Sequence, residues 1–218
     1  MAKKYTFTET EREQVEQAVK DLETVSCGEI VPYFVRSSDD YVEASWYVST
    51  LLSAFTLVLI GVLSYTWMLP FQITPLEVAL IAFVVIVVGF LFPLVFPVTR
   101  RWIVPRERQE QRVHQRARQA FLDEKVFETE ERVGILIFVS RLEHMVFVLG
   151  DEGISKKVGK EDWQHVVDEV VVGVKANQIG DGLVKAIGLC KELLLKNGFV
   201  RKSTDTNELS DGLRIEEK

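Results

Sequence analysis

The chain has 218 residues, 47% of them hydrophobic, and a formal net charge of −6, a size that accommodates one globular domain plus a membrane element. Its two cysteines, Cys27 and Cys190, form no CxxC pattern, and no GxxxxGK[ST] phosphate loop or HExxH zinc motif occurs. The arginines are not interleaved with aromatic residues, which argues against nucleic acid as a partner.

The segment after Met1 is polar, so no cleaved signal peptide is expected. Thr8 and Glu11 form a capping-box pattern, and Val15, Ala18, Val19 and Leu22 recur at helical spacing, which predicts a helix over residues 8–24. Residues 29–36 are β-branched and aromatic and read as a strand covered on both faces. Pro32 within it argues for an edge position or a bulge. Ser37, Ser38, Asp39, Asp40 and Tyr41 make a polar corner.

From Ala44 to Thr99 the only charged side chain is Glu77. Two apolar spans, residues 46–69 and 76–98, each meet the about 20 residues needed to cross a bilayer core. The loop between them runs from Met68 to Pro75. A pair of buried helices in a soluble core is the alternative, but the residues outside the hairpin are too few to cover two helices that are apolar all round. Arg100, Arg101, Arg106, Arg108, Arg112, Arg116 and Arg118 follow the second span, and the loop carries no basic residue. That asymmetry predicts a multi-pass protein of the bacterial inner (plasma) membrane with both termini cytoplasmic. Arg100, Arg101, Arg106 and Arg108 are also candidates for holding anionic lipid headgroups.

Pro105 opens a helix running to about Glu124, with Val113, Ala117, Ala120 and Phe121 on its apolar face. A β-hairpin follows, from Val133 to Ser140 and His144 to Leu149. Residues 161–175 carry a stripe of Trp163, Val166, Val167, Val170, Val171 and Val174 and read as an amphipathic helix. Asp181 is read as the N-cap of a last helix burying Leu183, Ile187, Cys190 and Leu194. Residues 201–218 read as a disordered tail. The expected fold is α/β, a small mixed sheet with helices on both faces in the order α-β-α-β-β-α-α. Residues 1–43 and 100–200 form one split cytoplasmic domain, and the hairpin of residues 44–99 is inserted after the first strand.

Several segments resemble the TPM domain family: Thr129 to Ser140 (TEERVGILIFVS), Val146 to Ile154 (VFVLGDEGI), Trp163, and Gly182 to Ile187 (GLVKAI). Gly28 to Pro32 with Ser37 to Tyr41 resembles its membrane-embedded bacterial branch. The resemblance implies a TPM-like fold, and it brings divalent-metal binding, acid phosphatase activity and upkeep of membrane complexes as expectations. Many relatives act on the extracytoplasmic side, and this chain departs from them in its polar start and inward arginines.

Hard cations take clustered oxygens, which makes Asp39, Asp40, Asp151, Glu152 and Glu29 the candidates for Ca2+ or Mg2+. Their ordinary roles would be turn former, helix cap and strand end. If the first strand runs parallel to the second, the pairs Asp39–Asp40 and Asp151–Glu152 fall at opposite ends of the sheet; if it runs parallel to the third, they meet. Arg132 and Arg141 are the candidates for steadying a phosphate. No nucleophile–base arrangement is visible, which favours a non-catalytic adaptor or membrane-complex maintenance factor, with a membrane protein as partner, over a metal-assisted phosphate-ester hydrolase.

Overall fold

The structure is a computed structural model that describes residues 5–66, 73–202 and 207–216. Its elements in chain order are α1 (Glu9–Glu23), β1 (Glu29–Val35), α2 (Val42–Tyr65), α3 (Pro75–Val95), α4 (Val98–Ile103), α5 (Arg106–Asp123), β2 (Gly134–Ser140), β3 (Met145–Gly150), α6 (Glu152–Ser155), α7 (Lys160–Ala176), α8 (Ile179–Lys196) and β4 (Arg214–Glu216). Met68 to Gln72 of the expected loop lie outside the described residues. The chain divides into two units. Asp40–Gln109 makes one, and the described residues of Lys3–Asp39 and Glu110–Lys218 make the other.

In the first unit α2 and α3 pack antiparallel. Ser45, Ser49 and Ser53 recur every fourth residue and are buried, so one face of α2 is small enough for a close approach. Ser49 Oγ donates to the Ile86 carbonyl at 3.0 Å, and the Trp46 and Phe90 rings meet at 5.1 Å. A Cβ at Gly89 would stand 2.8 Å from Ser49 Cα, so the contact requires glycine there. The remaining faces point outward: over their most apolar stretches only 6% of α2 and 11% of α3 is buried. Glu77 lies in the first turn of α3, where it closes a capping box with Thr74. After α3, Gln109 Nε2 donates to the carbonyls of Arg101 and Val104, each at 2.7 Å, and fastens α4 to the start of α5.

The second unit is built on a four-stranded mixed sheet of order β3-β2-β1-β4. β1 pairs in parallel with β2, from Glu29 opposite Gly134 to Val35 opposite Ser140, and β2 pairs antiparallel with β3. Alternation sends Ile30, Phe34, Ile135, Ile137 and Val139 to one face, under α1, α7 and α8. Val31, Val35, Leu136 and Phe138 go to the other, under Val113, Ala117 and Ala120 of α5. Thr8 caps α1 in the capping box that its spacing predicts, and Val15, Val19 and Leu22 are buried. Cys27 and Cys190 are buried and not joined in a disulfide, and burial pushes the Cys190 thiol up to about 12.

Three expectations are corrected. β1 is an interior strand with an unbroken register, neither an edge nor a bulge. Its Glu29 N–H donates to Val133 and its Val35 carbonyl accepts from Arg141, so the odd-numbered residues face β2. Pro32 therefore directs its missing N–H to the opposite side, below the reach of β4, which covers only Tyr33 to Val35. Asp181 lies within the first turn of α8, whose N-cap is Gln178. The stretch read as a disordered tail carries β4, because Glu29, Glu124 and Arg116 supply partners to its backbone and side chains.

β1 feeds both cores, so residues 100–200 expressed alone will be poorly folded. Joining residues 1–43 to residues 100–218 through a short linker, with the hairpin deleted, will restore a dispersed amide NMR spectrum.

Candidate functional site

The parallel pairing of β1 with β2 puts the two carboxylate groups at opposite ends of the sheet. At the carboxyl end of β1, Ser37 Oγ donates to the Asp39 carbonyl at 2.7 Å, which tightens the corner. Ser38 donates its N–H to Glu143 Oε1 at 3.0 Å and its hydroxyl to Ser140 Oγ at 2.8 Å. Ser140 Oγ donates in turn to the other oxygen of Glu143, a side chain only 1% exposed. The Asp39 carboxylate is bridged by Arg112 of α5 at 3.0 Å. Asp40 is exposed. Arg141, in the turn after β2, reaches Asn177 Oδ1 at 3.1 Å, and its guanidinium lies 5.4 Å from the centre of the Tyr5 ring.

At the other end, Asp151 caps α6 by accepting from the Glu152 N–H at 2.8 Å. Its second oxygen stands 2.9 Å from Arg132 Nε, and the Asp151 side chain is 7% exposed. Arg132 has a left-handed backbone, and its carbonyl accepts from the Gly153 N–H at 3.0 Å. A Cβ at Gly153 would lie 2.6 Å from that carbonyl, so the turn needs glycine. Glu152 is exposed and bridges Lys156. Glu29 is buried and accepts the N–H groups of Glu208 and Leu209, each at 2.8 Å. It anchors the C-terminal segment.

Asp39, Asp151, Glu152 and Glu29 thus have occupations inside the fold. Among the described residues no three His, Cys, Asp or Glu side chains converge as a cation cage would require. A divalent ion at Asp39 or Asp151 would compete with Arg112 or Arg132. Among the described residues the donor set does not fit a dedicated metal centre.

The residues alone did not point to a cavity of about 370 Å³ lined by Glu23, Glu29, Ser26, Arg201, Asn207 and Asp211, among others. Glu23 reads as an ordinary last-turn residue of a helix, and Asn207 and Asp211 lie in a polar segment. Only the docking of that segment brings them together. Asn207 donates to Glu23 Oε2 at 3.0 Å. Burial, then Asp211 and Glu29, raise the Glu23 carboxyl to about 8, so at neutral pH it holds a proton against Asp211.

The second unit is a mixed α/β domain, with a four-stranded sheet between one helix and a three-helix layer. Residues 99–193, from α4 through most of α8, match the family model of the TPM domain. In overall fold the chain is similar to the BA42 protein of the psychrophilic bacterium Bizionia argentinensis, solved by NMR. The TM-score is 0.59 and the identity 17%, over 99% of each chain. At that identity the likeness concerns the fold. No curated protein matches the chain.

Release of the segment around Asp211 would return Glu23 toward its ordinary carboxylate value of 4.5, whereas the docked form keeps the proton up to about 8. Lys20 and Arg201 also line the cavity and temper the repulsion. The docked form binds the extra proton, so this contribution to docking is complete at acid pH. It declines by about tenfold in equilibrium constant per pH unit through that window and is gone above it. The Ile215 methyl resonances, followed against pH, will report the release, and Glu23→Gln will flatten the profile.

Proposed function

We propose that the chain is a multi-pass protein of a bacterial inner membrane, with both termini cytoplasmic, whose TPM domain acts as a non-catalytic adaptor or maintenance factor for a membrane complex. The observation that carries the reading is the outward apolar surface of α2 and α3. Leu51, Phe55, Val58 and Phe83 are each at least 65% exposed, a surface suited to lipid rather than water. The one charged side chain of the hairpin sits at a helix end, where an interface would solvate it. Trp102, 84% exposed, follows Arg100 and Arg101 in α4, a pairing that favours a membrane–water interface. Arg100, Arg101, Arg106 and Arg108 are the groups for anionic headgroups there.

The absence of a nucleophile–base pair from the sequence motifs and the structural ion pairs at Asp39 and Asp151 support an adaptor. A metal-assisted phosphate-ester hydrolase finds its support in the Arg132–Asp151 corner, a buried carboxylate beside a half-exposed guanidinium. In that reading Ca2+ or Mg2+ would supply the Lewis acid. A panel of phosphate esters, assayed on the full chain with and without each ion, separates the two. The adaptor predicts no turnover in any condition. Ion-dependent turnover that Asp151→Asn abolishes would establish the hydrolase instead.

The arginine asymmetry also predicts topology. With Cys27 and Cys190 buried, a cysteine introduced at Ser210 will resist an impermeant thiol reagent in intact cells and react after permeabilisation. One introduced at Gln72 will react in both. Labelling of Ser210 in intact cells reverses the orientation.

A further inference from the structure

Pro93 lies inside α3, and Pro97 follows it four residues later. Neither has the N–H that a helix donates back to the carbonyl four residues earlier. Two rungs of the ladder are therefore missing, at the Gly89 carbonyl and at the Pro93 carbonyl. The second has a substitute. Arg100 Nε donates to the Pro93 carbonyl at 2.9 Å, so a side chain beyond the helix supplies what Pro97 cannot.

The contacts of the antiparallel pair show what faces the first missing rung. Gly89 packs on the backbone of Ser49, and Phe90 meets Trp46. One turn back along α2 from Ser49 is Ser45, and one turn forward along α3 from Gly89 is Pro93. Gly89 and Pro93 are the buried residues of α3. Helix carbonyls point toward the C-terminus, so the Gly89 oxygen is aimed from the level of Ser49 toward that of Ser45. Ser45 is 0% exposed, and its Oγ has no hydrogen-bond partner among the described residues. A buried hydroxyl in that condition is costly. Ser49 gives its hydrogen to the Ile86 carbonyl at 3.0 Å, which leaves its oxygen able to accept. One donor and two acceptors thus gather along a single turn of the seam. A water molecule balances them: it accepts from Ser45, gives one hydrogen to the Gly89 carbonyl and gives the other to Ser49 Oγ. Three bonds are the usual number for a buried water. Hydroxyls and ordered waters are also what refill the gap a proline leaves in a helix with apolar surroundings.

We propose that Ser45, Ser49 and the Gly89 carbonyl bind a single water molecule inside the α2–α3 seam, in the place of the donor that Pro93 removes. The site lies wholly within the hairpin and does not depend on the adaptor reading. It makes Pro93 a bend held by exchangeable hydrogen bonds rather than a break in the helix.

The test uses the full chain in nanodiscs of phosphatidylcholine, with 13C at the glycine carbonyls and 15N in phenylalanine. Glycine precedes phenylalanine only at Gly89–Phe90 and Gly198–Phe199, so carbon–nitrogen filtering leaves those two carbonyls. Gly198 is exposed and serves as the internal standard for a wet carbonyl. Solid-state NMR then measures the transfer of magnetisation from water protons to each carbonyl. Wild type will show transfer to Gly89. Ser45→Ala will lose most of it, with Gly198 unchanged. Pro93→Ala restores the helical donor, so it will also lose the transfer and will shift the Gly89 carbonyl resonance. That variant favours the helix and guards against misfolding of the alanine variant at Ser45. No transfer to Gly89 in wild type, or transfer that both substitutions leave unchanged, overturns the proposal. A Gly89 carbonyl that shifts in Ser45→Ala but receives nothing from water in wild type is bonded to the hydroxyl directly, and that result overturns it as well.

Discussion

The domain depends on one strand whose two faces are both dry. Every side chain of β1 except Tyr33 is buried, and its alternation serves two separate cores. Ile30 and Phe34 meet the layer of α1, α7 and α8, while Val31 and Val35 meet α5. A strand in that position has no solvent-facing register to slip into, because a shift of one residue would exchange the two sets. The parallel pairing with β2 then requires a long crossover, and the chain makes it through α2 to α5. The α2–α3 hairpin occupies a connection that the topology demands anyway.

The same pairing explains how the polar groups are used. Charged side chains gather where strands end, since the strands have no exposed face to carry them. At one end Ser38, Ser140 and Glu143 close a buried hydrogen-bonded chain. At the other, Glu29 and Asp151 hold backbone N–H groups and an arginine. Buried carboxylates of this kind stabilise because they accept several donors at once. Removing the donors would leave unsatisfied charge inside the fold.

Much of the architecture was legible in the residues. Helical spacing in α1, α7 and α8, the apolar runs of β1 and β2, and the length of the two apolar spans each report a local physical requirement. The separation of the carboxylate pairs followed from strand direction, which the right-handed crossover favours. Pro32 misled because a proline forbids a ladder bond on one side only, and which side it faces is a matter of register. β4 was invisible for a different reason. Three residues in a charged segment carry almost no pattern, and its pairing comes from acceptors far away in sequence, such as Glu29. The cavity around Glu23 was hidden for the same reason, being assembled by a segment that looks solvated when read alone.

Pro32 has one more consequence. Among the described residues no strand pairs with β1 below Tyr33 on its outer side, where the Glu23 carboxylate takes the Ile30 N–H instead. Pro32, itself buried, stands on that side with its ring where a donor would be. A strand added on that side would find the hydrogen-bond row interrupted at Pro32, so the ladder ends there and side-chain acceptors take over.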